Sequence, residues 1–134
     1  MKQSKPLLLL VIVVAASAHV AASPNLGIST SDTDPKPIRP GDTATVYVTL
    51  ENRGSDRGEG IQLNYKGHRY FELLKISQAD RSVGLLGSQS DTTLEYTMSV
   101  PDDAAPGTYD LPFTISASNS EAAVDTSVTV TIEP

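Results

Sequence analysis

The feature that most constrains the fold is a strict alternation of apolar and polar residues over Thr43–Glu51. The apolar side chains that share one face are Ala44, Val46, Val48 and Leu50, while Thr and Tyr side chains fill the other. A period of two, with β-branched and aromatic residues, predicts a β-strand with one buried face. The pattern recurs along the chain and no helical period occurs, so the chain is predicted to be all-β.

About seven short strands are predicted between turn signals. They are Leu26–Thr30, Thr43–Glu51, a segment alternating at Ile61, Leu63 and Tyr65, Tyr70–Ile76, Thr92–Val100, Thr108–Ala117 and Val124–Ile132. Ser82–Gly87 is predicted to be a connection that buries Val83, Leu85 and Leu86. Pro112 is predicted to point outward at an edge or a bulge, because proline cannot donate to a ladder. This arrangement predicts one antiparallel β-sandwich.

The first 22 residues have the layout of an export signal. Lys2 and Lys5 precede an apolar run at 7–18, and small residues follow, with A-x-A-type cleavage sites after Ala18 and Ala22. The alternative is an uncleaved anchor, although the apolar run is shorter than the roughly 20 residues that span a bilayer. The predicted organisation is a signal peptide at 1–22 and one sandwich domain at 23–134, with a secreted or cell-surface location.

Charge and cysteine content exclude several functions. The chain has 10 Lys+Arg against 16 Asp+Glu, and removal of the signal takes away two of the lysines. Such acidity argues against nucleic-acid binding, which requires cations that neutralise phosphates. Absence of cysteine excludes disulfides, thiolate nucleophiles and thiolate metal sites. The domain must therefore be held together by its apolar core.

Three ordered motifs carry a family resemblance: Pro40-Gly41-Asp42 before a strand that ends in Asn52-Arg53-Gly54, the segment VPDDAAPGTY at 100–109, and the closing VTVTI at 128–132. Together they resemble immunoglobulin-like modules of bacterial and archaeal cell-surface proteins. These include S-layer-type repeats, the CARDB adhesion-related domain and the sandwich appended to some α-galactosidases. The resemblance implies a structural or adhesion role.

The turn residues of these motifs have predicted roles. Pro40-Gly41 is expected to form a tight turn into the strand. Asn52 and Gly54 are expected to take positive φ at the strand exit. By analogy with tyrosine-corner sandwiches, the Tyr109 hydroxyl is expected to fix the corner that follows Pro106-Gly107.

Catalytic and metal-binding candidates are sparse. His68 is the only histidine after the signal, and the cations that flank it supply no orienting carboxylate, so no catalytic residue is assigned. Scattered carboxylates do not indicate a glycosidase pair. Calcium could use Asp32 with Asp34, or Asp102 with Asp103, because calcium favours loop oxygens. No calcium-loop motif is present, so neither a metal nor another cofactor is predicted.

The most uneven feature is the charge of residues 66–81, which carry a net +2 in a mature chain that is otherwise net −10. The candidate binding residues of this stretch are Lys66, His68, Arg69, Tyr70, Lys75 and Arg81. Aromatic rings and guanidinium groups suit sugars and anionic polymers, and cations suit an acidic partner domain. The alternative is a crossover loop whose rings join the core and whose cations stay in water.

The sequence therefore predicts a non-catalytic, exported cell-surface module that acts through protein–protein contact. The alternative is a carbohydrate-binding accessory module for wall or extracellular polysaccharide. Expected partners are a cell-envelope protein or polysaccharide, with no nucleic acid, and with membrane contact only through an uncleaved N-terminal segment. Aromatic side chains aligned on an outer sheet face, such as Tyr47 with Tyr65 or Tyr70, would favour sugar binding, whereas buried aromatic side chains would favour the structural role.

Overall fold

The computed structural model describes residues 23–134, and the predicted export signal lies outside the described residues. These residues form eight strands and one short 3₁₀ helix at Ile76–Gln78. The strands are β1 Leu26–Asp34, β2 Thr43–Asn52, β3 Gly58–Tyr65, β4 Glu72–Leu73, β5 Asp80–Leu86, β6 Ser90–Ser99, β7 Gly107–Ser116 and β8 Val124–Ile132.

Two four-stranded antiparallel sheets pack face to face. One has the order β1-β2-β6-β4 and the other β5-β3-β7-β8. The chain also joins the sheets after β1, where Ile38 forms a parallel bridge with Ile132 and accepts a hydrogen bond from the Glu133 amide at 2.8 Å. The predicted all-β antiparallel sandwich is confirmed.

The core lies between the sheets and follows the alternation seen in the sequence. Every second residue of β2 from Ala44 to Leu50 is fully buried, and Leu111, Phe113 and Ile115 of β7 are buried in the same way. β2 and β6 pair over ten residues without a register shift, from Thr43 opposite Ser99 to Asn52 opposite Ser90. A half-buried strand exposes one face and buries the other, which is why the period of two located these strands.

Two predicted segments differ from the structure. Residues 82–87 were expected to be a connection, but all of them except Gly87 belong to β5, which has a register irregularity near Gly84, whose φ is +80°. That bulge breaks the alternation that identifies a strand. Tyr70–Ile76 was expected to be a strand, but only Glu72–Leu73 forms one, and Phe71 makes an isolated bridge with His68.

Two apolar residues are exposed, although Leu85 was predicted to be buried and the alternation along 124–132 predicts an inward position for Val124. Leu85 lies on the opposite face of β5 from buried Leu86 and is 63% exposed. Val124, the first residue of β8, is 40% exposed because it lies at the strand end, beyond the core.

Pro112 lies in an internal strand, since β7 runs between β3 and β8, so the expectation of a sheet edge is wrong. The carbonyl of Pro112 accepts a hydrogen bond from the Lys66 amide at 2.9 Å, just past the end of β3. Nitrogen and carbonyl of one strand residue point to the same side. The absent N–H therefore falls where β3 has already ended, and the ladder to β8 is unaffected.

The turn predictions divide. Gly41 takes φ +87°, the Asp42 amide donates to the Arg39 carbonyl at 3.1 Å, and the predicted turn is confirmed. The hydroxyl of Tyr109 donates to the Ala105 carbonyl at 2.5 Å, as expected of a tyrosine corner.

Asn52 and Gly54 do not take positive φ, contrary to prediction. Asn52 is buried and its side chain bonds to backbone groups. Gly54 is required for space, because a Cβ there would lie 2.5 Å from the Ser23 carbonyl oxygen and 2.6 Å from the Asn25 nitrogen.

Candidate functional site

The predicted binding residues lie on one continuous stretch, Lys66–Arg81, which we call the basic segment. It leaves β3, forms the two-residue strand β4 beside Met98 and Ser99, turns through the 3₁₀ helix and enters β5. The Leu74 amide donates to the Thr97 carbonyl at 3.0 Å, and the buried Gln78 side chain accepts a bond from the Thr97 amide at 2.8 Å. These two bonds hold the segment against β6 while its charged side chains remain at the surface.

The four cations of the basic segment do not share one environment. Lys66, Arg69 and Lys75 are exposed. The Arg69 guanidinium lies 4.5 Å from the ring centre of Tyr70, within cation–π range. Arg81 is half-buried and stacks 4.7 Å from the ring centre of buried Tyr96. The structure therefore leaves three cations at the surface and turns Arg81 toward the core.

The aromatic side chains form one core group and one partly exposed group. Tyr65, Phe113 and Tyr96 pack in the core. The ring centres of Tyr65 and Tyr96 lie 5.2 and 5.3 Å from that of Phe113. Burial raises the pKa of Tyr65 above its usual range, and burial, opposed in part by Arg81, raises the pKa of Tyr96 to about 12. Both hydroxyls therefore stay protonated at any physiological pH.

His68, Tyr70 and Tyr109 form the half-buried group, which closes over buried Phe71. The His68 ring centre lies 5.3 Å from that of Tyr109, and the Tyr70 ring centre lies 5.2 Å from it. Tyr47 lies on β2, whereas buried Tyr65 lies on β3 of the opposite sheet and Tyr70 packs against Tyr109 of that sheet. No row of Tyr47 with Tyr65 or Tyr70 therefore forms on one outer face.

His68 accepts a hydrogen bond at Nδ1 from the Tyr70 amide (3.1 Å) and contacts three aromatic rings. Partial burial, and next the Arg69 charge, lower the His68 pKa below 6.5. Both effects favour the neutral imidazole, with Nδ1 as the acceptor. These contacts indicate that His68 stabilises the conformation of the basic segment around residues 68–71.

Exposed apolar side chains are the feature that the sequence did not predict here. Leu74 is 54% exposed and Ile76 is 86% exposed, on either side of Lys75. A shallow groove beside them is lined by Tyr65, Lys66, His68, Leu73 and Ile76, among others. The mainly apolar segment at 70–76 suggested a strand, but β4 ends at Leu73 and the chain turns outward. The signal available in the sequence was Lys75, which a buried strand would not place between two apolar neighbours.

The two aspartate pairs considered for calcium are engaged differently. Asp32 Oδ1 accepts bonds from the Thr33 amide (2.9 Å) and from Lys36 Nζ (3.4 Å), and these partners lower the Asp32 pKa. Asp102 packs beside Gly41 in the turn region. Across residues 23–134, three or more His, Asp or Glu side chains do not gather at any point where they could hold a metal ion. In the same residues, no helix has the length and apolarity needed to cross a membrane.

Among known proteins, similarity to this chain is found in solved structures but not in family models or curated proteins. No family model matches the chain, and no curated protein matches it. A protein of unknown function from Porphyromonas gingivalis W83 is similar over 80% of this chain and 46% of its own, with 18% identity and a TM-score of 0.48. A family 123 glycoside hydrolase from Clostridium perfringens is similar over 81% of this chain and 27% of its own, with 11% identity and a TM-score of 0.44. This chain thus spans less than half the length of either protein.

Proposed function

We propose that this protein is a non-catalytic, exported cell-surface module of the immunoglobulin-like type, and that it contacts a cell-envelope protein through the basic segment. The observation that carries the proposal is the exposure of Leu74 and Ile76 beside Lys66 and Lys75. Apolar side chains ringed by charge mark contact surfaces, because their burial against a partner releases water while the charges select that partner.

The rest of the chain supports this assignment. The basic segment stands out from a domain that is otherwise strongly acidic, so it would attract an acidic surface. The buried positions of Tyr65, Tyr96 and Phe113 favour a structural role over a sugar-binding face. The Tyr109 corner bond supports kinship with immunoglobulin-like modules.

A carbohydrate-binding module is the second candidate, and one observation favours it. Arg69 stacked on Tyr70, with His68 and Tyr109 alongside, forms a half-exposed aromatic group of the kind on which sugar rings stack. This group is small and lies at one end of the sandwich rather than along a sheet face.

Retention of the purified protein by a cell-envelope fraction tests the proposal, with envelope proteins and wall polysaccharide assayed separately. Two variants are compared with the parent: Lys66→Glu/Arg69→Glu and Leu74→Ser/Ile76→Ser. The control is Arg53→Glu/Arg57→Glu, which makes the same change in charge at exposed sites at the other end of the sandwich.

We expect a discrete envelope protein to retain the parent and the control but neither basic-segment variant. Retention by polysaccharide that is lost only in Lys66→Glu/Arg69→Glu would establish the carbohydrate alternative. Equal retention of all four proteins would refute a role for the basic segment. Mass measurement of the exported product shows whether cleavage occurs after Ala18 or Ala22.

A further inference from the structure

β6 leaves part of its backbone edge open. β2 pairs with all ten residues of β6 on one side, whereas on the other side β4 pairs only with Met98 and Ser99. Within the described residues, the first seven positions of β6, Ser90–Tyr96, have no strand beside them on that side. β5 faces this opening from the other sheet, where Arg81 lies over Tyr96.

The direction of each backbone group on β6 follows from the bonds of Thr97. Its N–H donates to Gln78 Oε1 and its carbonyl accepts from the Leu74 amide, so both point away from β2. Successive residues of a strand point their backbone groups to opposite sides, and β6 has no register shift. The N–H and C=O groups of Asp91, Thr93 and Glu95 therefore point into the opening.

The edge of β6 differs from that of β5 in how well it would accept another strand. β5 is interrupted by the bulge near Gly84, a device that protects sheet edges from unwanted pairing. β6 is regular and contains neither glycine nor proline. Leu94 on β6 and Val83 on β5 are half-buried apolar residues at the rim of the core. Apolar side chains of an added strand would cover them.

Charge selects the occupant. The side chains of Asp91 and Glu95 lie exposed on the outer face beside the free edge. A second copy presenting its own β6 would bring like charges together, which opposes pairing. We propose that the Asp91–Glu95 edge of β6 accepts an extended segment of a partner protein, with basic residues on its outer face and apolar residues facing Leu94 and Val83. The added strand continues the sheet along the line that β4 begins.

Apart from Arg81, which borders the opening, this inference uses residues outside the basic segment, and it does not depend on the proposed contact at Leu74 and Ile76. The probe is a synthetic peptide of about ten residues that alternates valine with lysine or threonine. One control peptide replaces lysine with glutamate. A second carries N-methyl groups on its central residues, which removes its backbone donors.

Amide hydrogen exchange of the full-length protein, followed residue by residue, reads out the edge. In the free protein we expect Asp91, Thr93 and Glu95 to exchange at least about tenfold faster than Thr92, Leu94 and Tyr96, whose amides pair with β2. The basic peptide should slow exchange at the first three positions, and the N-methylated peptide should not. We expect the acidic peptide to bind at least about tenfold more weakly than the basic one.

Glu95→Pro removes a backbone donor that faces the opening and should weaken binding of the basic peptide about tenfold. Glu95→Ala keeps this N–H donor and should weaken binding of the same peptide by less. Equal binding of the N-methylated peptide would overturn the inference, and this control does not rely on the folding of the proline variant. Slow exchange of the three amides in the free protein would also overturn it, and dependence of that protection on protein concentration would identify a second copy as the occupant.

Discussion

Replacement of Asn52 by alanine is expected to destabilise the sandwich far more than an ordinary turn substitution. Asn52 ends β2 and is 1% exposed. Its Oδ1 accepts bonds from the amides of Asn25 (3.2 Å) and Gly54 (3.0 Å). Its Nδ2 donates to the carbonyls of Asp56 (2.9 Å) and Leu86 (3.1 Å). One side chain thus ties the start of the domain, the β2–β3 loop and the end of β5 together.

The magnitude follows from which of the four bonds are shielded from water. The bonds to Gly54 and Leu86 are buried, while those to Asn25 and Asp56 are part-buried and water can replace them. A buried polar group left without a partner costs about 1–3 kcal/mol, so Asn52→Ala should lower the free energy of unfolding by about 3 kcal/mol. For a domain of this size that corresponds to a fall in Tm of about 12 °C.

Asn119 supplies a matched control for this measurement. Its Oδ1 accepts from the Glu59 amide (2.9 Å) and its Nδ2 donates to the Arg57 carbonyl (2.7 Å), but these bonds are exposed. Asn119→Ala should therefore cost about 1 kcal/mol or less. Urea unfolding followed by circular dichroism measures both variants. If the two substitutions cost the same, burial does not set the contribution of Asn52 and the reasoning fails.

Three further outcomes are expected from single substitutions. Gly54→Ala should lower Tm well below that of Gly27→Ala, because a Cβ at residue 54 meets N-terminal backbone, whereas at residue 27 it meets nothing within 4 Å; equal Tm values would contradict this. Tyr109→Phe should lower the free energy of unfolding, measured in urea, by about 1 kcal/mol, because it removes the hydrogen bond to the Ala105 carbonyl. An unchanged unfolding midpoint would show that this bond contributes nothing. Since the His68 pKa lies below its unfolded value of about 6.5, the stability that His68 contributes is complete above pH 6.5 and is lost as the pH falls through the folded pKa. His68→Gln should flatten Tm over pH 7.5–5.5, and a parent whose Tm rises on acidification in this window would refute the assignment.

The sequence predicted the strands that have one buried and one exposed face. β2 and β7 alternate cleanly, because neighbouring strands cover both of their edges and the other sheet covers one face. β5 was not predicted, since its bulge near Gly84 shifts the alternation partway along the strand. A local pattern cannot show such a shift, because the bulge is defined by pairing with β3, which is distant in sequence.

The sequence predicted the positive charge of the candidate site but not which of its side chains are exposed. The excess of cations at 66–81 is a property of composition and needed no fold to be seen. Which of them reach water depends on pairing: Arg81 lies opposite buried Leu63 in the β3–β5 ladder and so points inward, over Tyr96. Leu74 and Ile76 are exposed because β4 stops after two residues, and the length of β4 is set by where it meets β6.

The strand registers also determine where the basic segment lies relative to the start of the domain. Leu26 pairs with Asn52 at one end of β2, and Glu72 pairs with Ser99, which faces Thr43 at the other end. Ten residues of strand separate these ends by about 30 Å. Attachment of the protein through its N-terminal side would therefore present the basic segment at the far end of the sandwich, directed toward a partner, while the open edge of β6 would run along the side between the two ends. An envelope protein that engages the far end and inserts a strand along β6 would use both surfaces at once, so loss of one should weaken binding and loss of both should weaken it by more than either alone.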